Sequence, residues 1–439
     1  MNEAMTTPSV APAKPPGPFS VLFNRNFRIL WIAGLFRFHS RWMELIVLGW
    51  IILEVTNSPF LVGTIGFFRM AAMPILGLPA GIMADRLNRK LIVVLTEGIN
   101  AGFSIILFIL VSSGSIQFWQ IAALTLAMGT SFVVSFPSRT SIVQDLVGSN
   151  RLTNAMSLDM SAMTASKMLG PILAGLLLTF VGTAGTTFTL AALYTIGFLL
   201  LIPVRVPQRA VTMQREPVKQ LLSEGVRFVV KSPVLLAAIL ITITANMFIF
   251  PFMVMIPVFA RDVLQVNETL MGILAAADGL GALVGALFLA SRRSIRGPGM
   301  IYAFGTAMAA VAVLSFAQST SYALSLGLLL ASGLSFAGFT VMQPVLMMLG
   351  APPEMRGRSM GVNMMAVGAA PIGFLLTGAM SQAWGAPTAV TINCIAGLVC
   401  MLGVIAFFPS VRRKTTFPEQ EEITLAPTGV RTPPSSASR

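Results

Sequence analysis

Ionisable side chains occur inside long apolar stretches of this 439-residue chain. Arg37, Arg41 and Glu44 lie in the first stretch, at spacings that place them on one face of a helix. A charged side chain near the centre of a membrane-spanning helix costs about 2.5–3.5 kcal/mol to insert, so such groups are rare and mark polar pathways. We therefore expect this stripe of charges to face a polar cavity.

Three carboxylates are candidate proton carriers: Asp278, Glu44 and Glu97. Asp278 has no opposite charge within one turn of its own helix, and an unpaired buried carboxylate tends to stay protonated until water reaches it. For Glu44 the alternative is a self-neutralising pair with Arg41 at i and i+3, which contributes only about 0.2–0.5 kcal/mol. The cations that we expect to line a central cavity or contact a substrate are Arg37, Arg41, Arg69 and Lys167.

The chain contains only two cysteines and one histidine, so it offers few side chains for catalysis or metal binding. This composition excludes a disulfide framework, a Cys/His zinc site and a catalytic dyad that needs several histidines. His39, the single histidine, has neither a serine protease nor a His-Glu-x-x-His setting, and no ATP-binding P-loop pattern is present. We expect no metal, no cofactor and no enzymatic activity.

Composition predicts the membrane-spanning helices that carry these ionisable side chains. Hydrophobic residues make up 55% of the chain and charged residues 10%, whereas soluble proteins average about 25% charged residues. A hydrocarbon core about 30 Å thick needs about 20 apolar residues of helix. Twelve such stretches predict an all-α integral membrane protein: 27–53, 59–83, 90–112, 118–137, 158–181, 184–204, 233–260, 269–290, 299–317, 321–348, 361–382 and 386–408.

The basic residues predict the orientation. Of 29 Lys and Arg, 24 are assigned to one side, Arg261 to the other, and four fall within the stretches. The positive-inside rule then places both termini in the cytoplasm. The formal charge of +13 is therefore explained by topology and does not indicate nucleic-acid binding.

The apolar stretches divide into two sets of six. We predict a disordered N-terminus (1–26), a six-helix bundle (27–204), a cytoplasmic middle loop (205–232), a second bundle (233–408) and a disordered tail (409–439). The loop segment VKQLLSEGVRFVV is expected to form an amphipathic helix. Gly77 and Gly81 recur as Gly281 and Gly285, an offset of 204 that supports two repeats, and both pairs are expected to allow close helix contact.

A charged loop follows the second stretch, reading Gly81-Ile-Met-Ala-Asp85-Arg86-Leu-Asn88-Arg89-Lys90. Composition alone would make it a positive-inside anchor. The run also resembles the signature loop of the major facilitator superfamily in the same place, with Asn88 where that pattern usually has glycine. The resemblance implies that Asp85 bridges two six-helix halves by meeting a helix N-terminus near Gly361, and that this contact gates a central cavity.

Other runs are similar to the twelve-span bacterial drug/proton antiporters and siderophore exporters of that superfamily. They are the kink element Gly170, Pro171 and Gly175, the cytoplasmic run with Arg356, Gly357 and Arg358, and the run Phe136-Pro137-Ser138-Arg139. Similar exporters often carry an arginine where Arg69 stands and an acidic residue where Arg41 stands.

The resemblance implies a monomeric secondary transporter in the lipid bilayer of a bacterial-type inner membrane. It would export a small amphipathic, drug-like or siderophore-like molecule in exchange for protons. It would alternate between two states by rocking its pseudo-symmetric bundles about a central site. A lysolipid or lipid flippase of the same fold is the nearest alternative. A non-transporting scaffold and an intramembrane enzyme are alternatives from other classes.

Overall fold

The computed structural model describes residues 18–148, 151–207, 218–292 and 297–409, and the regular elements in these ranges are all helical. Order begins earlier than predicted, because Pro18–Phe23 forms a 3₁₀ turn and the first helix starts at Arg25. Asn24 caps that helix through its side-chain oxygen, which accepts a hydrogen bond from the Phe27 N–H at 3.2 Å. The predictions for 1–17 and 410–439 lie outside the described residues.

Spans 1 to 6 form the N-terminal half. Span 5 and span 6 share one fifty-residue element that breaks at Gly182, where φ is 69° and ψ is −175°. Such a positive φ favours glycine, and it separates the two spans without a loop. The N-terminal helices are span 1 (Arg25–Thr56), span 2 (Pro59–Met70 and Ala72–Arg86), span 3 (Arg89–Ser112), span 4 (Phe118–Val147) and spans 5 and 6 (Leu152–Leu201).

Spans 7 to 12 form the C-terminal half. Span 7 is irregular after Thr244, with π-helical and 3₁₀ segments up to Val263, and Pro251 and Pro257 within it each remove a backbone donor. The helices are span 7 (Pro233–Thr244, continuing to Val263), span 8 (Glu268–Ala290), span 9 (Pro298–Ala317), span 10 (Tyr322–Leu349), span 11 (Arg356–Val367 and Ala370–Trp384) and span 12 (Ala386–Phe407).

The described helices are consistent with twelve membrane crossings. Ten are apolar and long enough to cross a membrane, and one of these is the fifty-residue element that is long enough for two. Span 1, whose apolar stretch contains Arg37, Arg41 and Glu44 near its middle, would add another crossing.

The predicted loop helix is present as Val218–Lys231. It packs on the first part of span 11, where a Cβ at Gly225 would lie 3.1 Å from the Arg358 carbonyl oxygen. Glu224 of the loop helix forms an ion pair with Arg358. We call the face of the molecule that carries this helix the loop-helix side, and the other face the opposite side.

The two halves meet closely on the opposite side. A Cβ at Gly63 of span 2 would lie 2.7 Å from the Gly378 Cα of span 11, and one at Gly175 of span 5 would lie 2.9 Å from the Gly272 Cα of span 8. Arg261 of the C-terminal half also donates a hydrogen bond to the Leu53 carbonyl oxygen of span 1 at 3.0 Å. Glycines at these crossings let backbones approach, as expected for helices that associate by packing rather than by the hydrophobic effect.

On the loop-helix side the expectation for Gly77 and Gly81 is wrong in this conformation. A Cβ built at either residue would meet nothing within 4 Å. The equivalent Gly281 and Gly285 do pack closely, against backbone atoms of Leu330 and Leu334 in span 10. The repeat is therefore visible in sequence, but only its second copy is a tight helix contact here.

Candidate functional site

The charged side chains inside the bundle are mostly joined in pairs between different helices. Such pairing is expected because a lone charge in hydrocarbon is costly. Four ion pairs among the described residues have both partners largely buried: Arg37 with Glu97, Arg69 with Glu44, Arg139 with Asp159, and Lys167 with Asp278.

Lys167 of span 5 and Asp278 of span 8 form an ion pair, with 2.5 Å between Nζ and Oδ2. Asp278 is therefore not the unpaired carboxylate that its own helix predicts, because its partner comes from the other half of the molecule. The Lys167 ammonium also lies 5.8 Å from the centre of the Trp42 ring. Asp278 further lines a small pocket with Ser332 and Phe336 of span 10.

Glu44 pairs with Arg69 of span 2 rather than with Arg41, which corrects the self-neutralising alternative. The distance from Arg69 NH1 to Glu44 Oε1 is 2.6 Å, and the Tyr194 hydroxyl donates to Oε2 at 2.7 Å. Arg69 also donates to the Arg41 carbonyl oxygen at 2.5 Å. Spans 1, 2 and 6 are thus tied together at one carboxylate, whose side chain is buried.

Arg37 and Glu97 form a second pair inside the N-terminal half, with 3.1 Å between NH1 and Oε1. Arg37 also donates from NH2 to the Ser135 hydroxyl at 2.7 Å. The residue exposures of Arg37 and Glu44 are 4% and 1%, so most of the span 1 stripe faces neighbouring helices rather than a polar cavity.

Arg41 differs from Arg37, the other cation of the stripe, because it stays partly exposed. Its guanidinium carbon lies 3.8 Å from the centre of the Phe132 ring of span 4, which is a close cation–π contact.

Arg139 and Asp159 form a buried pair that the sequence reading missed. Their NH2 and Oδ1 atoms are 2.5 Å apart, and Arg139 also donates to the Leu30 carbonyl oxygen at 3.2 Å. Arg139 lies just beyond the predicted apolar stretch 118–137, but span 4 continues as a helix to Val147. A stretch that ends in polar residues does not mark the end of a helix when those residues are paired inside.

The signature loop is compact where it is described. Arg89 donates to Asp145 of span 4 at 2.7 Å, and Lys90 donates to the Ile202 carbonyl oxygen at 2.9 Å. Asn88 caps span 3 by accepting from the Leu91 N–H at 3.1 Å, which gives the departure from the usual glycine a structural role. Arg86 is exposed, and the side chain of Asp85 lies outside the described part of the chain.

The cytoplasmic run before span 11 is held by its arginines. Arg356 donates from Nε to the Met348 carbonyl oxygen at 3.0 Å, and Arg358 pairs with the loop helix. A Cβ at Gly357 would have free space around it.

The Gly-Pro-x-x-x-Gly element joins three spans. Gly170 lies against span 1, with its Cβ position 2.9 Å from the Trp42 Cβ, and Gly175 lies against span 8. Both glycines therefore lie in close contact with neighbouring helices, and the helix continues through Pro171.

No group of three or more His, Cys, Asp or Glu that could hold a metal ion occurs among the residues that the structure describes. The ionisable groups are instead arranged as isolated pairs, which suits charge compensation more than metal coordination.

Comparison with known proteins establishes the family. A family model described as transmembrane secretion effector matches residues 16–428. The chain belongs to this family of the major facilitator superfamily.

Solved structures of major facilitator transporters share the fold of this transporter. A bacterial homologue of the human lysosomal transporter Spinster, inward-facing and unoccupied, has a TM-score of 0.67 at 16% identity, covering 88% of this chain and 96% of that one. The nucleoside transporter NupG (D323A mutant) has a TM-score of 0.68 at 17% identity, covering 88% and 100%.

Curated relatives of the transporter are named as an exporter and a transporter of small molecules. The enterobactin exporter EntS of Shigella flexneri is 28% identical over 334 residues, which are 73% of this chain and 78% of that protein. The staphyloferrin A transporter of Staphylococcus aureus (strain NCTC 8325 / PS 47) is 24% identical over 261 residues, covering 57% of this chain and 64% of that protein.

Proposed function

We propose that this transporter exports a small amphipathic, siderophore-like molecule from a bacterial cytoplasm and is driven by proton entry. The two halves move so that a central site opens first to one side of the membrane and then to the other. Both termini lie in the cytoplasm. The protein works as a monomer. The siderophore-like substrate is supported by the two relatives, whose names are enterobactin exporter and staphyloferrin A transporter.

The observation that carries proton coupling is the Lys167–Asp278 pair. It joins span 5 to span 8, and therefore the N-terminal half to the C-terminal half, within the membrane-spanning part. Protonation of Asp278 would remove one charge of the pair and weaken the link. A proton and the relative position of the halves would then be coupled through one carboxylate, as antiport requires. Glu44 and Glu97 are each committed to a pair within the N-terminal half, which makes them weaker candidates.

The present conformation fits a state open toward the cytoplasm. Close packing between the halves lies on the opposite side and extends midway along spans 2 and 11, where a Cβ at Gly368 would lie 2.8 Å from the Pro74 Cβ. Gly77 and Gly81, nearer the loop-helix side, have free space around them. With the basic loops in the cytoplasm, the loop-helix side is cytoplasmic, so a substrate would enter from the cell interior. We further propose that Asp85 closes this side by meeting the start of span 11 in the other state.

Counterflow in proteoliposomes tests the function. Purified protein is reconstituted with 4-nitrocatechol, a small chromogenic catechol, and a pH gradient is imposed. Wild type should accumulate the catechol only while the gradient lasts, and Asp278→Asn should remove the dependence on the gradient. Asp262→Asn is the matched control, because Asp262 is 41% exposed and pairs with its neighbour Arg261.

Equal flux with and without the gradient in wild type would contradict proton coupling. A lipid flippase would instead move a fluorescent lysolipid between leaflets without accumulating the catechol.

A further inference from the structure

The charges inside the N-terminal half and its contact with span 8 do not balance. Four carboxylates each take one cation: Glu44, Glu97, Asp159 and Asp278. A fifth cation, Arg41, has no carboxylate within ion-pair distance among the described residues. The site therefore carries one uncompensated positive charge in the membrane-spanning region, where a lone charge is costly.

Arg41 is also the cation whose hydrogen-bonding capacity is free. Arg37, Arg69 and Arg139 are at most 8% exposed and donate to protein oxygens. The Arg41 side chain is partly exposed, and its guanidinium makes no hydrogen bond to a residue within the described ranges. A guanidinium presents five donors in a planar fork that matches a planar two-oxygen anion.

One aromatic ring of span 4 contacts this guanidinium. The centre of the Phe132 ring lies 3.8 Å from the Arg41 guanidinium carbon and 5.7 Å from the centre of the Phe136 ring. Both phenylalanines are partly exposed. A flat ligand that pairs with the Arg41 fork would thus find aromatic surface beside its charge.

The neighbouring charges select the sign of the ligand. Arg69 lies against Arg41, since it donates to the Arg41 carbonyl oxygen, and Glu44 is already held by Arg69 and Tyr194. A cation arriving at Arg41 would meet two guanidinium groups and one carboxylate that is already engaged, whereas an anion would complete the charge balance.

We propose that Arg41 and Phe132 form an anion subsite that binds a carboxylate or a deprotonated catechol on the transported molecule. This inference rests on the proposed function and adds the chemical class of the substrate. The anion subsite also distinguishes this transporter from carriers of organic cations, because a cation would need a carboxylate at the position of Arg41.

Equilibrium binding to the purified full-length protein in detergent tests the subsite without any gradient. The probes are benzoate, the 4-nitrocatechol anion and the aromatic cation benzyltrimethylammonium, and calorimetry gives Kd for each. Wild type should bind one or both anions and bind the cation more weakly. Comparison of the two anions shows whether the subsite takes carboxylate, catecholate or both.

Arg41→Gln should weaken anion binding about 10- to 100-fold, since charge-assisted hydrogen bonds are lost. Arg41→Lys should give an intermediate Kd, because it keeps the charge and loses the fork. The matched control is Arg28→Gln, which removes an exposed charge from the same helix and should leave Kd unchanged. Phe132→Leu should also weaken binding, and it keeps the test informative if Arg41→Gln does not fold.

Unchanged anion binding in Arg41→Gln, or wild type that binds the cation as tightly as the anions, would overturn the subsite. These results are independent of coupling: a protein that binds anions through Arg41 but shows no gradient-driven counterflow would contradict the proposed function and leave the subsite standing.

Discussion

Lys167 Nζ and Asp278 Oδ2 lie 2.5 Å apart across the boundary between two six-helix halves, so one ion pair links the two halves directly. The sequence of neither helix alone shows an opposite charge placed to pair with these residues. The pair is created by the crossing of span 5 and span 8, where Gly279 lies against the backbone of Lys167.

A double-mutant cycle should measure this pair. Lys167→Met and Asp278→Asn are each expected to lower the free energy of unfolding by about 3–5 kcal/mol, because each leaves a buried partner without its counter-charge. The double variant should lose less than the sum of the two. Chemical denaturation in detergent gives the three values, and strict additivity would show that the pair does not couple. Asp262→Asn, at a pair whose side chains are 29% and 41% exposed, should change the free energy of unfolding by about 0–1 kcal/mol.

Glu44 should be more important for stability than Tyr194, although the two side chains are hydrogen-bonded. Glu44→Gln removes the charge that Arg69 needs, and we expect a loss of about 3 kcal/mol or more. Tyr194→Phe removes one hydrogen bond and should cost about 1–2 kcal/mol. The control is Glu54→Gln, which changes an exposed carboxylate on the same helix. Thermal unfolding of the purified variants ranks them, and an equal effect at Glu44 and Glu54 would contradict this interpretation of the pair.

Gly175→Leu should separate the halves on the opposite side. A side chain at this position would overlap the Glu268 carbonyl oxygen and lie 2.9 Å from the Gly272 Cα before relaxation. Spin labels at Ser115→Cys and Thr320→Cys, which are exposed on that side in the two halves, should move apart by a few ångströms in Gly175→Leu. The labels require replacement of Cys394 and Cys400.

The matched control for this experiment is Gly403→Leu, because a Cβ at Gly403 would meet nothing within 4 Å. Identical label distances in wild type, Gly175→Leu and the control would show that this crossing does not limit the approach of the halves.

Asn88 should tolerate glycine better than alanine. Its side chain caps span 3, and replacing an asparagine cap by alanine costs about 0.5–2 kcal/mol, whereas glycine costs only a few tenths. Asn88→Ala should therefore lower the unfolding temperature more than Asn88→Gly, which restores the residue usual in the superfamily signature. A larger effect of glycine than of alanine would mean that the cap is not what Asn88 contributes.

Much of the fold could be predicted from sequence because it depends on local composition. The length of each apolar stretch located the spans, and the polar middle segment divided them into two sets. Gly182 falls within the short gap that was predicted between stretches 158–181 and 184–204, and its positive φ explains why no loop is needed there.

The pairing of charges could not be predicted in the same way. Helical spacing shows which face of span 1 carries Arg37 and Glu44, but the partners Glu97 and Arg69 come from other helices, and their positions depend on the rotation of those helices in the bundle. Asp278 looked unpaired for this reason. The burial of Arg139 could not be predicted, because hydropathy does not distinguish a charged residue in water from one that is paired with a residue of another helix inside the bundle.

The break at Gly182 has a mechanical consequence. Because a single non-helical residue joins spans 5 and 6, they form a helical hairpin whose two arms have no loop between them. One arm carries Lys167, which holds the other half of the molecule, and the second carries Tyr194, which holds Glu44 of span 1. A shift of the first arm that follows release of Lys167 would therefore be passed directly to the helix that bears Arg41, with no flexible connector to absorb it.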